Sequence, residues 1–166
     1  MHFDLKPISV ESIPEAIAKV ERYRLLNEPS LAESICQDIL TVAPDHQQAL
    51  ISLLLARTDQ FESGMTVAKA REVLSQIKGD YERAYYAGII SERNAHAHLN
   101  PGGPGSASVA YHALREAMEH FERAEVLRPP GNDDAILRWN TCARVIMRDP
   151  EIRPLPHDEF QPITGE

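Results

Sequence analysis

Ala117-Met118-Glu119-His120-Phe121-Glu122-Arg123-Ala124-Glu125-Val126-Leu127-Arg128-Pro129 is the stretch that decides how this chain is read. Ala117, Phe121 and Ala124 are spaced four and three residues apart, so they share one face of a helix, and Pro129 follows five residues later. Small side chains at Ala117 and Ala124 let two helices approach closely, and Phe121 fills the space between them. Pro129 stops the helix, since its ring clashes with the preceding turn and it has no N–H to donate. The same steps recur upstream in Ala32, Cys36, Ile39 and Pro44. A helix packed closely against another, recurring along the chain, is what this pattern predicts.

The motif resembles the second half of a tetratricopeptide repeat, a helix-turn-helix unit with a period of about 34 residues. Ala84, Ala87 and Gly88 resemble its first half, W-x2-L-G, whose glycine precedes the second helix's alanine by about 12 residues. Gly88 precedes Ala117 by 29 residues, so the third repeat carries about 17 additional ones. With those set aside, the 85 residues from Pro44 to Pro129 reduce to two periods of about 34. In this register repeats begin at Ile13, Gln47 and Tyr81, and an unpaired final helix begins at Asn132.

The fourth position of each unit, small or apolar in the family, reads Ala16, Leu50, Ala84 and Ala135. The eighth reads Val20, Leu54, Gly88 and Trp139, of which only Gly88 is the family's usual residue; the eleventh reads Tyr23, Arg57, Ser91 and Cys142, of which only Tyr23 is. The second repeat is the least typical, with Thr66, Ala70 and Val73 on its second helix and Lys78 where a proline is expected. The resemblance implies an all-α fold over residues 12–149, a right-handed superhelix of antiparallel helix pairs with an elongated hairpin inserted in the third repeat.

Local signals set the boundaries. An extended lead covers residues 1–11, after which Ser12 and Glu15 read as a capping box with Pro14 in the first turn. That helix is expected to end near Asn27, with Glu28-Pro29-Ser30 starting the next. Asp45 and Asp80 read as caps of the helices that come after them, and Glu62-Ser63-Gly64 as a turn. A Gly/Pro loop at about 100–106 separates two helix extensions, and a proline-rich tail occupies 150–166.

Composition narrows the function classes. A chain of 166 residues suits one domain, and a net charge of −8 disfavours nucleic acid or an anionic membrane as partner. Arg138, Arg144, Arg148 and Arg153 are the one basic concentration, but Asp133, Asp134, Asp149 and Glu151 interleave with them, as on a solvated helix face. The longest apolar run, Ala49–Ala56, is too short to span a bilayer. Residues 1–7 lack a basic segment followed by an apolar one, so secretion is not expected. Cys36 and Cys142 fall at helix positions that should be buried and lack Cys-x-x-Cys spacing, which fits reduced thiols in the cytoplasm.

No phosphate-binding loop or nucleophile elbow is present, so no enzyme activity and no cofactor are expected. His96, His98, His112 and His120 lie near the hairpin and are the candidate metal ligands. His96 and His98, two residues apart, point to different helix faces, and Glu116 with His120 supplies only a pair.

In the family, positions two, five, nine and twelve of each unit line a concave groove. Carried over, the groove residues are Ile17, Glu21, Ile51, Leu55, Tyr85, Ile89, Ile136 and Asn140, with Pro14, Gln48, Glu82 and Asp133 at the margin. Members that grip the acidic tails of chaperones carry lysine at position five and asparagine at position nine of the first repeat; Ile17 and Glu21 stand there instead, which disfavours that role. The resemblance therefore implies a non-catalytic scaffold binding a peptide or partner protein in an apolar groove. Two other readings are a metal-binding or regulatory site at the histidines, and a self-associating module, a homodimer or a chain whose own tail fills the groove.

Overall fold

The computed structural model describes residues 1–155; residues 156–166, most of the proline-rich tail, lie outside the described part. Among the described residues the chain forms seven α-helices and no strand, and none of the helices is long and apolar enough to cross a membrane. It divides into two compact units, Met1–Arg83 and Ala84–Glu166.

The first unit holds α1 (Ile13–Leu25), α2 (Pro29–Val42), α3 (Gln47–Thr58) and α4 (Val67–Leu74). Successive helices pack on one another, and α1 also touches α3. Ala32, Cys36 and Ile39 on α2 face the core together with Val20 of α1, all at 0 % exposure. The run from Ala49 to Ala56 is explained by position: α3 is apolar on several sides because it is buried on several sides, with Leu50, Leu53 and Leu54 in the core.

Three helix starts in this unit differ from the sequence reading. Ser12 does not cap α1, because a 3-10 turn at Val10–Ser12 precedes the helix and leaves Ser12 with helical φ/ψ (−82°, −8°). Its hydroxyl donates to the Ser9 carbonyl at 2.7 Å instead. A capping side chain needs an extended backbone to reach forward over the first turn, and Ser12 lacks one. His46, not Asp45, caps α3, its Nδ1 accepting from the Ala49 N–H at 3.2 Å. Thr66 sits just before α4 and caps it by accepting from the Lys69 N–H at 3.4 Å. The start of α3 is tied to the segment after α4 through Gln47, whose Oε1 accepts from the Lys78 N–H at 2.7 Å.

The second unit contains most of α5 (Asp80–Leu99), with α6 (Ser106–Leu127) and α7 (Asp134–Arg148). Asp80 is thus the first residue of α5 rather than its cap. At 20 and 22 residues, α5 and α6 extend about 30 Å and 33 Å. Pro101, Pro104 and three glycines with φ of +65°, +131° and +79° (Gly102, Gly103 and Gly105) join them. Gly88 lies directly against Phe121: a Cβ added there would stand 2.5 Å from the ring, so only glycine fits this helix crossing. Ala117, Phe121 and Ala124 are all at 0 % exposure, while Pro129 lies past the end of α6. α7 packs on α6 and begins at Asp134, two residues beyond Asn132, whose side-chain oxygen accepts from the Asp134 N–H at 3.0 Å.

Candidate functional site

Each unit brings together residues of helices that do not follow one another in the chain, α1 with α3 and α5 with α7. In the first, Gln48 on α3 donates to Glu21 on α1 at 3.3 Å, joining a groove position to a margin position of the sequence register. Ile51 and Leu55 on α3 are half-buried, Glu21 is exposed, and Ile17 is buried at 6 % exposure.

In the second unit, Arg138 on α7 reaches α5, where its Nη1 stands 3.4 Å from both oxygens of Glu92 and the guanidinium also hydrogen-bonds Tyr85. The Glu92 side chain is 3 % exposed, that of Arg138 38 %. Burial works against the arginine's charge, but the Glu92 carboxylate and the Tyr85 hydroxyl outweigh it and raise the Arg138 pKa above its usual value. Tyr85, Ile136 and Asn140 are half-buried, and Ile89 is buried at 2 % exposure. Tyr85 also packs against Phe121, with ring centroids 5.8 Å apart.

Arg138 therefore does not belong to the solvated mixed-charge face that its neighbours in sequence suggest. Its partner lies 46 residues away on another helix, and only tertiary packing reveals it. Ser91, next to Glu92, is 1 % exposed, and its hydroxyl has no hydrogen-bond partner among the described residues.

The histidines are not drawn into one site. His98 and His112 are exposed, His96 and His120 half-buried. His120 is engaged locally, with Arg123 donating to its Nδ1 at 2.9 Å and its Nε2 facing Glu116 at 3.9 Å. Among the described residues no group of three or more His, Cys, Asp or Glu side chains is placed to hold a metal ion. A depression of about 430 Å³ at the hairpin tip is lined by His98, Val109 and the Pro101–Gly105 loop, with no acidic or cysteine side chain to join the histidine.

Both cysteines are free and buried. Burial pushes the Cys36 thiol up to about 12, with Arg24 pulling it down and Glu33 raising it further. Burial likewise lifts Cys142 to about 12, Glu92 adding to the rise and Arg138 opposing it. Thiols held this far toward the neutral form make poor nucleophiles and poor metal ligands at neutral pH.

No protein-family model, no curated protein and no solved structure matches the chain.

Proposed function

We propose that this chain is a non-catalytic protein–protein interaction scaffold of the tetratricopeptide type, a right-handed superhelix of helix pairs, which works in the cytoplasm. It binds a peptide or partner protein on the open sides of the first helices. The observation that carries this reading is the direct meeting of first helices inside each unit, α1 with α3 through Glu21 and Gln48, and α5 with α7 through Glu92 and Arg138. Those meetings leave Ile51 and Leu55 in one unit, and Tyr85, Ile136 and Asn140 in the other, half open to solvent. Half-exposed apolar side chains on a framework pinned by polar pairs suit an amphipathic helix or an extended peptide that buries hydrophobic anchors. Ile17 in the first unit and Ile89 in the second are buried, so neither is offered to a partner.

The test compares partners captured by the wild-type chain with those captured by Ile51→Asp and Tyr85→Ala variants, with melting temperature and helicity read on the same samples. Partners retained by wild type and lost by folded variants support the reading. Partners retained by both variants overturn it.

A further inference from the structure

Where α1 meets α3, the first unit carries a single uncompensated charge in an apolar setting. On α1, Ala18, Glu21 and Leu25 are spaced three and four residues apart and share a side of the helix; all are exposed, Leu25 at 88 %. On α3, Gln48, Ile51 and Leu55 have the same spacing, the first exposed and the other two half-buried. The 3.3 Å hydrogen bond from Gln48 to Glu21 joins the two rows.

A carboxylate has about four acceptor positions, and Gln48 fills one of those on Glu21. No lysine or arginine among the described residues pairs with it. Arg24, three residues along the same helix, is bound to Asp59 at 2.7 Å, and Lys19 stands 3.8 Å from Glu15. The surrounding field has the same sign as Glu21, since residues 1–83 hold thirteen Asp and Glu against nine Lys and Arg.

We propose that this side of the first unit takes an amphipathic segment of a partner protein that sets a lysine or arginine against Glu21 and aliphatic side chains on Ile51, Leu55 and Leu25. The inference rests on the groove reading above and adds the chemistry of the partner to it. A basic side chain supplies the counter-charge that the fold leaves out, and its methylene stem lies along the apolar rows. An acidic segment with the same apolar anchors meets Glu21 as a like charge and is discriminated against.

The test uses labelled helical peptides with leucine on one face and lysine, glutamine or glutamate on the other, titrated against the full chain by fluorescence anisotropy. The lysine peptide is expected to bind about fivefold more tightly than the glutamine one, and the glutamate peptide most weakly, with the differences shrinking at high salt. Glu21→Lys should reverse that order. Glu72→Lys, which makes the same change in net charge at an exposed site on α4, should leave it intact. Glu21 is exposed, so its variant carries the test even if Ile51→Asp fails to fold. An order unchanged by Glu21→Lys, with all binding lost in folded Ile51→Asp, would overturn the proposal and leave the groove reading standing. Binding that ignores Ile51→Asp would overturn both. Failure of every peptide to bind, or an equal reversal by Glu72→Lys, would also overturn the proposal. So would a dimer in light scattering that Ile51→Asp dissociates, because a second copy would then be the occupant.

Discussion

The two units secure their helices by different means. In the first, Arg24 donates to Asp59 at 2.7 Å and Arg57 to Glu33 at 3.0 Å, with both members of each pair buried to a similar degree. Gln60 adds a 2.8 Å bond to Glu33, and Arg57 a 2.7 Å bond to the Lys69 carbonyl. In the second, an apolar crossing dominates, Gly88 against Phe121, and the ion pair that ties α5 to α7 is lopsided: a nearly inaccessible carboxylate 3.4 Å from a half-open guanidinium.

A charged group that holds several hydrogen-bond partners keeps some of them when one contact is lost, as Glu33 does through Gln60. A charge withdrawn from water depends on its partner, since desolvation costs several kcal/mol per ion. The first unit is therefore redundant in its polar ties, and the second is not.

Arg138→Ala is the most severe way to break this contrast. It strands Glu92 without its partner and should cost about 3–5 kcal/mol of unfolding free energy, read from urea denaturation. Replacing Glu92 and Arg138 together with leucine should recover most of that loss; no recovery would mean that the pair holds the helices by something other than charge.

Gly88→Ala comes next, at about 1–3 kcal/mol, because the added methyl drives into a ring that is itself fully enclosed. Hydrogen exchange faster along 84–127 would place the damage at this crossing, and an unchanged melting temperature would show that the crossing is looser than its geometry says.

Arg57→Ala should be the mildest, about 1–2 kcal/mol for two lost hydrogen bonds, since Glu33 keeps its bond from Gln60. A loss as large as that of Arg138→Ala would erase the distinction between the units.

The features legible in the amino-acid order rest on local spacing. The α-helical class, the burial of Ala117, Phe121 and Ala124, and the Gly/Pro break after α5 all depend on steps of a few residues, where helix geometry and proline chemistry act directly. Cap identities were less legible. Ser12 and Asp45 have suitable side chains, but the 3-10 turn leaves Ser12 with helical backbone angles, and His46 occupies the cap position of α3. The Glu92–Arg138 pair left no local trace, because each residue alone looks like an ordinary solvated charge. Among the residues assigned to the binding face, Ile17 and Ile89 could not be told from Ile51 and Ile136 by sequence, since exposure depends on which neighbours pack against each side chain.

The loop between α5 and α6 has a practical consequence. A Cβ built at Gly102, Gly103 or Gly105 meets nothing within 4 Å, and their left-handed backbone is already supplied by residues that tolerate it. The gap between Gly102 and Gly103 is thus a place where an affinity tag or a fluorescent domain can be spliced into the chain, leaving both glycines in position.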